Sequence, residues 1–209
     1  MTFITQVTVD FSTAAGLRLR DSYDWHQAVW KAFPNHDGEQ RSFLTRLDQQ
    51  HGNFRLLIVS PVQPVRPEWC PDGAESWKTK PIPETFLSGT RYLFQLCANP
   101  TKKVAKERPD GSLTKNGRRI PLNKREDLVE WINRKGIQGG FTVDEATLRT
   151  FMRGREYFSK LGQTGLHSAV EFQGTLAVTD SARFHAAFKQ GVGPAKAFGF
   201  GLLVIAPIS

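Results

Sequence analysis

The stretch "DSYDWHQAVWKAFP", residues 21–34, brings together side chains that could move a proton. At 3.6 residues per turn, Trp25, Ala28, Val29, Ala32 and Phe33 form one apolar stripe of a helix that stops before Pro34. Tyr23, His26 and Trp30, at i, i+3 and i+7, share the flank of that stripe. An imidazole on a helix rim titrates near neutrality and can serve as acid or base, with a phenol one turn away to position a ligand. A solvated histidine beside an aromatic ring is the commoner meaning of such a pair, so spacing alone leaves both readings open.

A second chemical feature lies near the end, in "KQGVGPAKAFGFGLLVIAPIS" (189–209). "GVGPAK" starts like a dinucleotide fingerprint, but Lys196 stands where the third glycine belongs. The order is also wrong, because that fingerprint follows a strand and opens a helix, whereas this loop follows a helix and opens a strand. No G-K-[ST] follows, so it is not a Walker loop. Two readings remain: Gly191 as a helix C-cap with glycines permitting a close crossover, or backbone N–H groups of Gly191, Gly193 and Gly199 with Lys196 holding a polynucleotide phosphate.

The elements that must position these residues follow from periodicity. Residues 3–9 alternate as a strand with Phe3, Thr5, Val7 and Val9 on one face. "RSFLTRLDQQHGNFRLLIVS" is a hairpin turning at His51-Gly52-Asn53. Residues 61–90 are proline-rich, with a degenerate helix and a strand at "ESWKTKPI" expected there. "TRYLFQLCA" opens a second unit as a strand. "NKREDLVEWINRKG" follows as a helix capped by Asn123, with Leu128, Trp131 and Ile132 inward and Gly136 as its stop. Residues 141–160 and 167–179 read as strands, "DSARFHAAFKQG" as a helix capped by Asp180 and closed by Gly191, and "GLLVIAP" as a buried strand. Each half thus approaches strand–helix–strand–strand–helix–strand. An α+β architecture of two tandem ferredoxin-like (RRM-like) domains is expected, residues 1–88 and 89–209, each an antiparallel sheet with helices on one face.

A net charge of +8 over 209 residues favours a polyanionic partner, nucleic acid first. The basic residues cluster in "NPTKKVAKERPDG" (Lys102, Lys103), "TKNGRR" (Arg118, Arg119) and "MRGREYFSK" (Arg153, Arg155). Any one run is usually a solvated face, but three in one unit suit a surface that tracks phosphates. No aromatic RNP strand is present, so base stacking along an open sheet is not expected, and the sheet is expected to be covered by the other domain. The two cysteines make neither a zinc set nor a disulfide framework, no H-E-x-x-H or acidic ligand cluster appears, and no metal or cofactor is expected. No apolar run reaches a membrane span and the first residues read as a strand, which points to a cytoplasmic chain.

"GVGPAKAFGFGLLVIAP" resembles the C-terminal signature of the CasE family, the repeat-processing CRISPR endoribonucleases of subtype I-E and a subunit of the Cascade complex. The likeness extends to "YDWHQAVWKAFP", "LFQLCANPTKK", "RRIPL" and "YFSKLGQTGLHSAVEFQGTL", and residues 61–90 carry almost none of it. The resemblance implies metal-independent cleavage of the CRISPR repeat hairpin at the base of its stem, with the mature crRNA retained within Cascade beside other protein subunits. It implies His26 and Tyr23 as active-site residues. RNA carries its own nucleophile, a 2′-OH beside the scissile phosphate, so a base and an acid suffice and a 2′,3′-cyclic phosphate results. Charge developing on the phosphate needs a nearby cation, for which Lys160 and Lys196 are candidates and Ser159 a lesser one. A basic hairpin of the second domain, with Arg153 and Arg155, would engage the stem. A non-catalytic RNA-binding subunit of the same ribonucleoprotein is the alternative.

Overall fold

The computed structural model describes residues 1–34, 40–105, 112, 117–160 and 163–208, without the side chains of residues 159, 160 and 163. The first half holds β1 (Thr2–Asp10), α1 (Phe11–Gly16), α2 (Ser22–Trp30), β2 (Leu44–Gln50), β3 (Asn53–Ser60) and β4 (Trp77–Ile82). These strands form an antiparallel sheet in the order β2-β3-β1-β4. Thr5, Val7 and Val9 are fully buried on one face of β1, as their alternation predicts. The hairpin register closes at Gln50 opposite Asn53, leaving His51-Gly52 as a two-residue turn.

That strand order is the ferredoxin-like one, with one departure. Between β3 and β4, where the repeat would place a second helix, the described chain has none. Pro61, Pro64, Pro67 and Pro71 each lack the N–H a helix needs. The segment instead packs on α2: Trp69 Nε1 donates to the Ala28 carbonyl at 2.8 Å, the Val65 N–H to that of Ala32, and Cys70 is buried. The short helix α1, capped by Asp10, is an element the sequence reading missed.

The second half contains β5 (Arg91–Ala98), β6 (Thr101–Val104), β7 (Arg118–Pro121), α3 (Arg125–Gln138), β8 (Phe141–Val143), β9 (Arg149–Lys160), β10 (Gln163–Val178), α4 (Ser181–Gln190) and β11 (Leu203–Pro207). The order β11-β5-β10-β8 is again ferredoxin-like, and β9 pairs with residues 163–173 of β10 on the same side as β8. The second strand of the repeat is therefore split in two, and β6 and β7 form an added two-stranded ribbon. Helix α3 is capped by Lys124 without a side-chain bond, not by Asn123, and it runs past Gly136. A Cβ at Gly136 would lie 2.7 Å from the Phe141 carbonyl, so this glycine serves the approach of β8 and not the helix stop. Asp180 and Gly191 cap α4 as expected.

The two units share a core. Leu44, Val59 and Leu87 of the first half pack with Phe172, Phe188 and Leu203 of the second in one buried cluster, while Trp25 and Val29 of α2, with Phe33 just beyond it, seal the other face of the first sheet with Val7, Leu56 and Ile58. Among the described residues no helix is long and apolar enough to cross a membrane.

Candidate active site

Helix α2 starts where Asp21 accepts hydrogen bonds from the Tyr23 and Asp24 N–H groups, at 2.8 and 3.0 Å. Burial of Trp25, Ala28 and Val29 against the sheet then fixes its rotation, leaving Tyr23, His26 and Trp30 half-buried at the rim. The His26 ring does not hang free. Trp30 Nε1 donates to its Nε2 at 3.1 Å, and the ring tilts against Phe43 with centroids 5.7 Å apart. An indole N–H only donates, so Nε2 is the unprotonated nitrogen and the neutral ring carries its proton on Nδ1. The i, i+4 spacing of His26 and Trp30 thus sets a tautomer.

The second unit closes on this helix. A cavity of about 280 Å³ lies between α2 and the second unit, with His26, Trp25 and Ser22 on one side and Glu156, Phe198 and Gly199 on the other. Its far wall is backed by packed rings: His167 stacks on Phe158 at 4.7 Å and touches Phe198 at 4.8 Å, and its Nδ1 lies 2.8 Å from Asn99 Nδ2, which donates to it. Burial pushes the His167 imidazole below its usual value. It lies inside β10 and not at a strand start, with a structural role; His185, whose Nε2 sits 3.2 Å from the Leu87 carbonyl, is likewise structural. His36 lies outside the described residues.

The glycine loop faces two ways. Gly191 has φ +80°, and a Cβ there would sit 2.8 Å from a Leu44 methyl of the first unit; at Gly193 it would meet the Trp131 ring at 3.0 Å. These two have packing reasons for lacking a side chain. Gly199, also at positive φ, has open space around it and borders the His26 cavity. Lys196 points elsewhere, into a groove of about 290 Å³ with Lys135, Arg183, Gly191 and Gly193. A neighbouring groove of about 360 Å³ adds Lys103, Arg119, Arg134 and, again, Lys135. Burial lowers the Lys135 and Lys196 ammonium groups, and cationic neighbours lower them further: Arg134 and Arg119 for one, Arg41 and Lys135 for the other.

The basic runs of the sequence are brought together here. Exposed Lys102 and Lys103 on β6 lie opposite Ile120 and Arg119 on β7, with Arg118 opposite Val104. A Lys103–Arg119 cross-strand pair opposes like charges, a cost that a polyanion would relieve. Arg134, Lys135 and Arg183 were missed by the sequence reading. The only signal was their place on helices, one turn or less beyond Trp131 in α3 and inside the first turn of α4, where isolated cations read as solvated faces.

Arg153 and Arg155 part company. The β9–β10 register shifts between Ala169 and Val170, so that Arg153 is a bulged residue. Its Nη1 turns inward to Asp48 Oδ1 at 3.0 Å and Glu171 Oε2 at 3.1 Å. Arg46 completes the network, bound to Asp48 at 2.9 Å and to Glu171 at 3.0 Å; all of Arg46, Asp48 and Glu171 are buried. Burial alone would raise the Asp48 carboxyl, but the hydrogen bonds and charge of Arg46, with Arg55 and Arg153, hold it down at about 2. Arg155 stays exposed. Ser159 and Lys160 end β9, and their side chains lie outside the described residues. Among the described residues no group of three or more His, Cys, Asp or Glu side chains is placed to hold a metal ion.

A family model described as CRISPR associated protein matches residues 2–207. The chain is 31% identical over 193 residues to the Cascade subunit CasE of Escherichia coli K12, covering 90% of this chain and 94% of that one. The chain belongs to the CasE family. The CRISPR-associated endoribonuclease Cse3 of Thermus thermophilus is a second relative, 31% identical over 212 residues, with 94% and 95% coverage. The fold agrees: the crystal structure of Escherichia coli Cas6e matches with a TM-score of 0.73 at 28% identity over the whole of both chains. A structure of Cse3 bound to a 19-nt RNA matches equally, 29% identical over 99% of this chain and 100% of that one.

Proposed function

We propose that this CasE-family chain is an endoribonuclease that cuts CRISPR repeat RNA at the base of its hairpin and keeps the product as a subunit of Cascade. The observation that carries this reading is the meeting of the His26 helix with strand β9 and the glycine loop, whose Gly193 and Pro194 in turn line a groove with Lys103, Arg119, Arg134 and Lys135. The groove and the β6–β7 ribbon would track phosphates of the stem, which suits A-form RNA because its shape is read more than its bases. The strand leaving the stem would then pass His26. There the 2′-OH attacks the adjacent phosphorus, the bond to the 5′-oxygen breaks, and a 2′,3′-cyclic phosphate and a 5′-hydroxyl result. His26 exchanges a proton with one of these oxygens through Nε2, the Trp30 bond orienting the ring in the free protein and giving way to the RNA oxygen. Tyr23, one turn earlier, orients the 2′-OH or phosphate, and Lys160 and Ser159 are the groups assigned to the charge developing on phosphate, whereas Lys196, which faces the groove with Lys135 and Arg183 and not the His26 cavity, is reassigned to holding backbone there. Lys102, Lys103, Arg118, Arg119 and Arg155 hold backbone, with the loop at Gly193 and Gly199; Gly191, whose N–H donates to the Ala187 carbonyl, is left to capping and packing. Arg153, committed to Asp48 and Glu171, is reassigned to joining the two units.

A hairpin repeat RNA incubated in EDTA tests the reading: the wild-type chain cuts, and a 2′-deoxy substitution at the scissile position stops cutting without loss of binding. Binding without cutting would instead make the chain a passive RNA-holding subunit.

A further inference from the structure

The cavity beside His26 has a chemistry that phosphate binding does not explain. Glu156 opens onto it half-buried, and among the described residues this carboxylate has neither a salt bridge nor a hydrogen bond. Ser22 also lines it, and Ser22 Oγ is buried without a hydrogen-bond partner among the described residues. Trp25, Phe54 and Phe198 add aromatic surface beside aliphatic Val29 and Leu47, and Arg20 and Asp21 also reach the lining. Arg20 is outweighed by the carboxylates of Asp21 and Glu156, so the lining repels phosphate on balance; the RNA backbone belongs in the cationic grooves, and something neutral, flat and rich in N–H donors belongs here. The volume of about 280 Å³ has room for one nucleobase and part of its ribose, not for a base pair. Because His26 lies on the same wall, the occupant sits within a nucleotide of the reacting phosphate.

We infer that this cavity receives an unpaired nucleobase flanking the scissile phosphate, stacked on aromatic rings and read by Glu156 through N–H groups on its Watson–Crick edge. Unpaired RNA bases are held in this manner wherever proteins splay them from a strand. An ionised carboxylate only accepts, so guanine, with two N–H donors side by side, is favoured over adenine and cytosine. Uracil, whose single imide N–H is flanked by carbonyl oxygens, is disfavoured. Glu156 is therefore a specificity-determining residue. The inference rests on the ribonuclease reading and deepens it.

Hairpin RNAs carrying each of the four bases, or an abasic site, at every unpaired position flanking the cut provide the test. The expected result is one position at which the abasic RNA loses roughly ten- to a hundredfold in kcat/KM, the range of one base–aromatic stack. At that position wild type prefers guanine to uracil, and Glu156→Gln, whose amide donates as well as accepts, levels the preference. In an uncleavable 2′-deoxy RNA, 2-aminopurine placed there changes its fluorescence on binding. Abasic RNAs cut at the full rate at every flanking position would overturn the inference. A Glu156→Gln protein that keeps the wild-type base preference would overturn the role of Glu156. Should Glu156→Gln not fold, the abasic and 2-aminopurine measurements on wild type decide. No cutting of any RNA by wild type would remove the ribonuclease reading itself, a different outcome from intact cutting indifferent to the base.

Discussion

His26 and Trp30 work as a pair at the scale of single residues. Replacing His26 by alanine is expected to lower the cleavage rate by at least about a hundredfold, the lower range for a general acid or base, while filter binding of the hairpin RNA stays near wild type. Full cleavage by that variant would remove His26 from the mechanism. Trp30→Phe keeps the ring packing and deletes only the hydrogen bond to Nε2. It should cost about tenfold or more in kcat with little change in KM, as mispositioned catalytic groups do; a KM effect alone would refute a tautomer-setting role. The Tyr23, His26, Trp30 flank was legible in the sequence, because helical spacing alone decides which side chains share a rim. Glu156 was not. Inside "RGREYFSK" a lone carboxylate among cations reads as an ion-pair partner, and only tertiary folding places it on the cavity facing α2, within the field of Arg153 but with no salt bridge or hydrogen bond among the described residues.

The ribbon, the helices and the bulge divide the basic residues into two jobs at the scale of elements. Lys135→Ala and Arg155→Ala should each weaken RNA binding and lower the slope of log K against log salt by about one. Arg153→Ala should instead lower the melting temperature of the free protein, because it strips the buried carboxylates Asp48 and Glu171 of a partner. A thermal scan beside a salt titration separates the two residues; an unchanged melting temperature would return Arg153 to the RNA surface. Alternation along a strand puts Arg153 and Arg155 on one face, so no reading of pattern could separate them. The register shift at Ala169 does so, and a bulge leaves little trace in one sequence beyond Gly154. The proline-rich segment was opaque for a related reason: it packs through Trp69 and Cys70 with no periodic structure to announce it.

The molecule as a whole is two ferredoxin-like units welded along a mixed seam, polar at Arg46, Asp48, Arg153 and Glu171, apolar at Leu44, Val59 and Leu203. The unit order was legible from the alternation of strand and helix patterns. The seam was not, since Leu44 and Arg46 look like residues of their own hairpin. Glu171→Gln should destabilise by about 3 kcal/mol, the cost of leaving a buried partner unpaired, and denaturant unfolding measures it. Acid should act on the same place. A carboxyl held at about 2 stabilises the native state wherever it is ionised. Its contribution is complete above about pH 4, the ordinary carboxylate range, and is lost as pH falls through about 2. Tryptophan fluorescence should therefore report loosening in that window, shifted or absent in Asp48→Asn. The contact of Gly191 with Leu44 carries a last consequence, for the order in which the chain is made. The open face of the first sheet, with its charges and Leu44, stays uncovered until residues nearly 150 positions later have been synthesised. Pairings this distant form slowly. The ribosome thus releases the His26 helix long before the opposite wall of its cavity exists, and no nascent chain can cut RNA until Phe198 and Gly199 have emerged.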